Sequence, residues 1–568
     1  MKTELRNAVM ISARDLVVVG TRTIHDLPQD GWMRSMAVSR GLLATVGAVF
    51  CLMACGTLRG AEAFRPAIPK TWEDAEMASL ELPLAHASAS PRHVPSSYYY
   101  GIPVRPIYKS YPVYHPRHEP PGYLDQLRRM DPVVLWDDKG HRPRLKTKAD
   151  WIQAGELVFD SSLGISGQGH ISTSTRAALG FRDAGWYERT GTPTTKEGVM
   201  PFYRYVIREK GRVEVGLLAC AMCHTRVMPD GGTLKGAQGN FPFDRVFAED
   251  YRSDPASIGT DRLLERLLFH TPWLDPNPQA QLSQSTTEHI AAPHDAIPPG
   301  VLARHRTRSD QPVQIPDLIG VQQRRYLDRS GLQIHRGIAD LMRYAALNQG
   351  GDDLSRFGDF VPAAVFAPGN ALPENPADPK VQLSRYSDEQ LYALALFAYS
   401  LKPPQNPNLP RTAADKSLVR RGEAVFRQEG CAKCHDPRQG YTNNKLIAAP
   451  GFDIPDPHPA QADILRTPSG TPRRIGSDPT LTVATRRGTG FYKVPSLQGV
   501  WYRGPFEHNG SCATLEDWFD PRRVRDDYVP TGWKGPPGTK ARAVKGHEFG
   551  LDVPPEDRRA LIAFLKVL

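Results

Sequence analysis

The clearest pattern of apolar and polar positions lies in two segments whose hydrophobic residues recur at spacings of three and four. The first covers residues 387–401 and opens with a capping box, in which Ser387 is followed three residues later by Gln390. Pro403-Pro404 ends it. The second covers residues 554–565, close to the C-terminus. This spacing places the apolar side chains on one face, so we predict two amphipathic helices.

Each predicted helix closes a unit that begins with a similar hydrophobic hexapeptide. The sequence AGELVF at 154–159 is echoed by RGEAVF at 421–426. A CxxCH motif follows each hexapeptide, at 220–224 and again at 431–435. The chain therefore contains two unequal modules, and we predict that the Pro-rich segment 402–410 separates them.

The CxxCH motifs carry the firmest chemical prediction. Each one supplies two thiols for thioether bonds to the vinyl groups of a haem, and a histidine next to them as the proximal iron ligand. The thiols are those of Cys220, Cys223, Cys431 and Cys434, and the ligands are His224 and His435. A zinc site or disulfide pairs are the alternatives, but a zinc site requires paired CxxC sets with short loops between them. These two motifs lie in different modules, so we predict two covalently bound c-type haems.

An opening helix, a CxxCH motif and a closing helix form the plan of a class I cytochrome c domain. We therefore predict a mainly α fold with two class I cytochrome c-like haem domains, at 151–403 and 411–568. The first domain carries insertions, one between Phe159 and Cys220 and another at 241–379. The 48 glycines and 52 prolines favour long irregular loops between the helices.

The N-terminal extension, through residue 63, is predicted to contain a secretory signal. Arg34 and Arg40 precede an apolar run at 41–54, which has the length of a signal peptide and is too short to cross a membrane. The sequence LMAC at 52–55 resembles a lipobox, which would leave Cys55 as a lipidated N-terminus. The alternative is an ordinary cleavage site at 61–63. We therefore expect a periplasmic or secreted protein, with lipid anchoring as one alternative.

Residues 64–150 form a Pro/Tyr-rich segment, with three tyrosines at 98–100 and the sequence YPVYHP at 111–116. Its prolines interrupt regular helix. We predict an extended arm that wraps a domain surface. A strap whose tyrosines cover a haem edge is the alternative.

Composition and charge narrow the choice of partners. Hydrophobic residues make up 40% of the chain and charged residues 23%, which is typical of a globular protein. The net charge is +10, but the basic residues are scattered and no nucleic-acid module is visible. We therefore favour an acidic redox partner or plain solubility as the meaning of this charge.

The second axial ligand of each iron decides what its haem can do. A methionine raises the potential and suits electron transfer, whereas an open position permits peroxide or O₂ chemistry. No methionine follows Met342, so the haem on His435 has no methionine ligand from its own domain. Its candidates are His458, His508 and His547. We prefer His547, because class I cytochromes supply this ligand just ahead of the closing helix.

The haem on His224 has many candidate partners and no preferred one. The candidates are Met228, His270, His289, His294, His305, His335 and Met342. Arg336 and Arg343 lie nearby on a predicted helix that is rich in polar groups. They either form salt bridges and contact haem propionates, or act as distal groups that stabilise charge on a bound dioxygen species. The remaining cysteine, Cys512, is predicted to be a small buried residue.

The second module resembles the bacterial dihaem cytochrome c peroxidase superfamily, which includes the methylamine-utilisation dihaem enzyme and the dihaem rubber oxygenases. The motifs that carry the resemblance are YKVPSL at 492–497, GPFEHNGS at 504–511, TLED at 514–517 and GHEFG at 546–550. The last is most similar to the rubber oxygenase branch, and this implies that His547 is the second ligand of the C-terminal haem. In the first module the resemblance is limited to Gly155-Glu156 and the CxxCH motif.

The resemblance implies a division of labour between the haems. One haem, usually the N-terminal one, reacts with peroxide or O₂, while the other stores or relays electrons. The chain departs from the peroxidases because it lacks the methionine ligand of the second domain and offers no match to their distal glutamate or inter-haem tryptophan. Trp273 and Trp501 are the candidate bridges.

We therefore predict an exported dihaem oxidoreductase, peroxidase- or oxygenase-like. Its expected partners are a small redox protein and peroxide, O₂ or an organic substrate. A non-catalytic dihaem electron carrier is the alternative, and a haem-based sensor or assembly component is a third possibility.

Overall fold

The computed structural model describes residues 63–162, 170–172, 180–303, 306–350, 354–362, 372–378, 383–533 and 545–568. The chain divides into two compact units, Met1–Ala63 and Phe64–Leu568, and the second contains every element described below. The predicted signal segment, Cys55 and His305 lie outside the described residues.

Helices are distributed along the whole second unit. The α-helices are α1 (Asp74–Ala78), α2 (Ser96–Gly101), α3 (Tyr123–Arg129), α4 (Lys148–Asp160), α5 (Ala184–Thr190), α6 (Cys220–His224), α7 (Phe243–Ser253), α8 (Thr287–Ala296), α9 (Ile338–Gly350), α10 (Asp388–Ser400), α11 (Ala413–Gln428), α12 (Thr480–Val483), α13 (Leu515–Trp518) and α14 (Pro555–Lys566). A π-helix at Thr260–Leu268 and several short 3₁₀ turns complete the set.

Strands lie between these helices and form several small antiparallel sheets. They are β1 (Pro91–His93), β2 (Ile107–Tyr108), β3 (Ser110–Tyr114), β4 (Val134–Trp136), β5 (His170–Ser172), β6 (Val199–Glu209), β7 (Arg212–Gly216), β8 (Thr225–Val227), β9 (Thr233–Lys235), β10 (Val301–Leu302), β11 (Val313–Gln314), β12 (Ser355–Phe357), β13 (Leu446–Ala448) and β14 (Phe491–Lys493). The largest sheet has the order β3-β6-β7-β5, and each of the others pairs two strands.

The chain is mixed α and β, with several small sheets. The prediction of a mainly α fold, with two class I cytochrome c-like domains, irregular loops and an extended arm, is therefore wrong. Three strands of the four-stranded sheet, β5, β6 and β7, lie in the insertion between Phe159 and Cys220, and the fourth, β3, comes from the Pro/Tyr-rich segment. Strand β6 is rich in aromatic and β-branched residues and is buried along most of its length. Burial on both faces removes the polar–apolar alternation that reveals a half-buried strand.

The Pro/Tyr-rich segment is part of the core, and the prediction of a surface arm is wrong. Trp72 and Trp136 belong to the same hydrophobic cluster as residues of α4 and α10. The ring of Tyr99 stacks on Trp72 with centroids 4.3 Å apart. Pro112 is accommodated in β3 because β3 is an edge strand, which does not need every backbone donor.

A buried ion pair network fastens this segment to the rest of the unit. Oε2 of Glu81 lies 3.3 Å from Nε2 of His93, and Oε1 of Glu81 lies 3.3 Å from Nη1 of Arg306. The side-chain amide of Gln333 also donates to Oε1, at 2.7 Å. Burial alone would raise the pKa of Glu81, but His93, Arg306 and Gln333 together lower it to about 2.

This network predicts an acid-sensitive contribution to stability. Because the pKa of Glu81 is depressed on folding, its contribution is present above pH 4.5 and is lost as the pH falls towards 2. We expect Glu81→Gln to be less stable at neutral pH, and this difference to shrink by about 3 kcal/mol on acidification. Urea unfolding of both proteins between pH 7 and pH 2 measures it. The exposed carboxylate variant Glu556→Gln serves as the control, and a difference that does not depend on pH would contradict the prediction.

The two predicted closing helices are confirmed as α10 and α14, and Ser387 and Gln390 form the predicted capping box. Helix α4 packs on α10, and α11 packs on α14. Both opening helices, α4 and α11, also begin with a capping box of the form Thr-x-x-Asp. The internal repeat in the sequence therefore corresponds to two helix pairs.

The two pairs share the same crossing geometry. A Cβ atom on Gly155 would lie 2.0 Å from the carbonyl oxygen of Ala393, and one on Gly422 would lie 2.0 Å from that of Ala560. One turn further on, a phenylalanine of each opening helix packs on a phenylalanine of its closing helix, with ring centroids 5.1 Å and 5.3 Å apart. Only glycine permits such a close approach of the two backbones.

Candidate functional site

The second CxxCH motif opens onto a cavity in the C-terminal half of the unit. Cys431–Lys433 form a 3₁₀ turn directly after α11, and the amide of His435 donates to the carbonyl of Cys431 at 2.9 Å. Nδ1 of His435 lies 3.1 Å from the carbonyl oxygens of both Tyr441 and Pro495, and donates to them. These bonds fix the ring and leave Nε2 as the free metal-binding nitrogen.

His547 faces His435 across this cavity. The two ring centroids lie 6.4 Å apart, and both side chains line the cavity together with Cys431 and Cys434. A histidine nitrogen binds a first-row metal at about 2.0 Å, so one metal ion fits between two rings at this separation. Burial, with a smaller effect from His547, lowers the pKa of His435 to about 4, which keeps the imidazole neutral as a ligand must be.

The other two candidate ligands are placed differently. His508 lines the same cavity, but its Nδ1 lies 3.0 Å from Oε2 of Glu507 and its ring packs on Tyr492. His458 is buried outside the cavity lining, and its Nδ1 accepts a hydrogen bond from the amide of Ala460 at 3.1 Å. The geometry therefore supports His547 as the partner of His435.

Part of the cavity lining is strongly basic. Arg329, Lys493 and Arg503 line it, and burial together with neighbouring guanidinium groups lowers the pKa of Arg329 to about 9. Burial and nearby arginines also lower the pKa of Lys493. Nε of Arg329 has no hydrogen-bond partner. Buried cations of this kind require anionic partners, and the two propionates of a haem are suitable anions.

The rest of the lining is largely apolar. It includes Phe426, Ile447, Val494, Val500, Phe506, Leu515, Phe519, Leu561 and Leu565. A covalently attached haem requires two thiols, facing imidazoles, an apolar wall and positive charge near its propionates. The residues of the second module therefore fit this cofactor.

The first CxxCH motif is helical and forms α6. Burial lowers the pKa of His224 to about 4, and the nearby carbonyl of Pro316 partly offsets this shift. The contact between Nδ1 of His224 and this carbonyl does not meet the geometry of a hydrogen bond. The thiols of Cys220 and Cys223 are half-buried, as are those of Cys431 and Cys434, and Cys512 is buried. The donors of a haem attachment site are therefore present here also.

The described candidates for the second ligand of His224 have other surroundings. Nδ1 of His335 contacts the carbonyl of Arg324 at 2.6 Å, and its Nε2 contacts the hydroxyl of Tyr399 at 2.7 Å. Met228 and Met342 pack in hydrophobic clusters, and His294 forms an ion pair with Asp244. His270 packs against the ring of Phe360, and His289 is exposed at the surface.

Arg336 and Arg343 converge on one carboxylate. Nε of Arg336 lies 2.7 Å from Oδ2 of Asp340, and Nη1 of Arg343 lies 2.8 Å from Oδ1 of Asp340. Arg343 also donates to the carbonyl of Thr71 at 3.1 Å. These contacts support the salt-bridge interpretation of the two arginines.

A second repeated motif, which is not among the predicted site residues, lies beside both proximal histidines. The sequence PDLIGV at 316–321 matches PSLQGV at 495–500, and the first residue of each supplies the carbonyl beside a proximal histidine. Arg324 and Arg503 follow at the same spacing, and they donate to the carbonyls of Asp317 and Ser496, respectively. The signal was the shared pattern Pro-x-Leu-x-Gly-Val, which a comparison of the two modules would have found.

The two candidate bridging tryptophans lie in different places. Trp501 packs in a small cluster with Met228 and Leu234, which follow the first CxxCH motif in sequence. Trp273 is stacked on His86, with ring centroids 5.9 Å apart. Only Trp501 therefore joins a cluster that contains residues close to a CxxCH motif.

Comparison with known proteins gives little beyond this geometry. No known protein-family profile matches the chain. An uncharacterized protein of Sinorhizobium fredii, y4iM, is 31% identical over 122 residues, and the match covers 18% of this chain and 28% of the relative. The chain therefore spans less than a third of the curated relative that it matches.

Among solved structures, the hydrazine synthase of Kuenenia stuttgartiensis is similar at a TM-score of 0.24 and 15% identity. This similarity covers 45% of this chain and 73% of that one.

No described helix is both long and apolar enough to cross a membrane. Among the described residues, no group of three or more His, Cys, Asp or Glu side chains is arranged to hold a metal ion.

Proposed function

We propose that the protein is an exported dihaem c-type oxidoreductase that activates peroxide or O₂ at the haem on His224 and relays electrons through the haem on His435. The observation that carries this proposal is the pairing of His435 with His547 across a cavity that also contains Cys431 and Cys434. His435 and His547 would both bind the iron of this haem, an arrangement that would suit electron relay. The haem on His224 is then the one assigned to the reaction.

The haems supply the redox chemistry, and the chain supplies attachment, orientation and a low-dielectric surrounding. In the second module, the hydrogen bonds from Nδ1 of His435 hold its ring in one orientation. The apolar wall excludes water, and Arg329, Lys493 and Arg503 provide positive charge for the propionates. These features tune a haem without entering the reaction.

The finer parts of the proposal rest on sequence motifs. The peroxidase and rubber oxygenase motifs support the choice of a peroxidase- or oxygenase-like reaction. The signal at 41–54 supports export, with Cys55 as an alternative lipid anchor. The net charge of +10 supports a small acidic redox protein as partner.

A plain dihaem electron carrier is the second candidate function. The engagement of Arg336 and Arg343 with Asp340 favours it, because two arginines bound in this way are poorly suited to act on a bound dioxygen species.

Exogenous ligands separate the two functions. We expect cyanide to bind the oxidised protein, and CO the reduced protein, at about half of the total haem, because His435 and His547 would both bind the iron of the second haem and leave no position for an added ligand. Optical and EPR titration of the purified protein measures this fraction. Two low-spin haems that ignore both ligands would refute the enzyme and leave the electron carrier.

A further inference from the structure

We propose that Arg523 is a positioning residue that holds His547 against the iron of the second haem. This inference rests on the proposed function, because it takes His547 as the second ligand. The backbone of His547 has a φ of +48°, in the left-handed region that a residue with a side chain adopts only when its surroundings enforce it.

One side of the turn is held by the backbone of residues 475–477. The amide of His547 donates to the carbonyl of Ile475 at 3.1 Å. Gly546 has a φ of +81°, and a Cβ atom there would lie 2.3 Å from the amide nitrogen of Ser477. The backbone at Gly546 and His547 is therefore closely packed against residues 475–477.

The other side is held by Arg523, whose side chain is fully buried. Its Nη1 donates to the carbonyl of Gly546 at 3.0 Å, and its Nη2 donates to the carbonyl of His547 at 2.6 Å. A planar guanidinium presents donors in a fixed fork, so these two bonds fix the orientation of the peptide groups on both sides of His547. An ammonium group cannot reproduce this fork.

Trp518 connects the guanidinium to the ligand ring. The guanidinium carbon of Arg523 lies 5.2 Å from the ring centroid of Trp518, and Nε of Arg523 donates to the carbonyl of Trp518 at 2.8 Å. The ring of Trp518 meets that of His547 edge to face, with centroids 5.0 Å apart. Arg523 thus holds the backbone of His547 directly and the imidazole through Trp518.

The sequence provides a matched control at the preceding residue. Arg522 is 73% exposed and pairs with Asp520 at 2.7 Å. The variant Arg522→Gln removes the same charge and the same number of atoms at the neighbouring position, from a side chain that pairs with Asp520. A difference between the two variants therefore reports on the position of the guanidinium and not on net charge.

The test uses the full-length holoprotein and follows the second haem by EPR and by cyanide binding. We expect Arg523→Gln to reduce the low-spin bis-histidine signal and to speed cyanide binding at this haem by about ten- to hundredfold, because two charge-assisted hydrogen bonds are lost. Arg523→Lys should give an intermediate effect, and Arg522→Gln should match wild type. A residue that only stabilises the fold would lower the unfolding midpoint without changing the signal of the folded protein.

Two outcomes would overturn the proposal. The first is an Arg523→Gln protein with full haem content, a wild-type EPR spectrum and a wild-type rate of cyanide binding. If this variant does not accumulate, the same result for Arg523→Lys is decisive. The second is a wild-type spectrum that lacks a bis-histidine haem, which removes His547 as a ligand. The proposed reaction at the haem on His224 is tested separately by its own ligand binding, so the two failures are distinguishable.

Discussion

Replacing His547 by alanine should convert the haem on His435 from low spin to high spin and open it to cyanide and CO. The ring of His547 lies opposite that of His435, with centroids 6.4 Å apart, so removing it vacates one axial position. The change should affect about half of the total haem, because the haem on His224 does not use this ligand. EPR and optical spectra of the oxidised and reduced holoprotein measure it.

A methionine at the same position should produce a different effect. In His547→Met, a thioether replaces an imidazole and favours the reduced iron, so the potential of this haem should rise by on the order of 100 mV. Redox titration followed optically measures the shift. Arg329 and Lys493, which also line the cavity, are unchanged in this variant.

His508 provides the control for both variants. It lines the same cavity, but Glu507 binds its Nδ1, so we expect His508→Gln to keep a low-spin spectrum. If His547→Ala retained the wild-type spectrum while His508→Gln changed it, the ligand assignment would pass to His508. If neither variant changed the spectrum, the ligand would have to come from elsewhere.

The parts of the structure that the sequence predicts are those determined by local pattern. The three- and four-residue spacing of apolar side chains predicts α10 and α14, and the capping box predicts the residue at which α10 begins. The position of His547 ahead of α14 favours it among three histidines, and the ring of His547 lies 6.4 Å from that of His435, centroid to centroid.

The parts that the sequence does not predict depend on contacts between distant segments. Strand β6 shows no alternation because it is buried on both faces. The Pro/Tyr-rich segment has the composition of a surface arm, but Trp72 and Tyr99 are buried in the same hydrophobic cluster as residues of α4 and α10. Arg523 has no motif of its own, and its role depends on a turn more than twenty residues further along the chain.

The repeated helix crossing predicts a large and selective loss of stability. In Gly422→Ala, the new Cβ atom would lie 2.0 Å from the carbonyl oxygen of Ala560 and 2.7 Å from Cβ of Phe564. The gain in helix propensity is only about 1 kcal/mol, whereas separating two packed backbones costs about 3 kcal/mol or more. Because α11 leads directly into Cys431, we expect the second haem site to be disturbed first.

Gly155→Ala should have the same cost but should act on the site of His224, because Gly155 meets Ala393 in the same way. Gly337 is the control: a Cβ atom there meets nothing within 4 Å, so Gly337→Ala should change the free energy of unfolding by less than about 1 kcal/mol. Urea unfolding and the haem content of each purified protein measure these effects. A Gly422→Ala protein as stable as Gly337→Ala would show that the two helices do not cross at these glycines, and the structural equivalence of the two modules would then be lost.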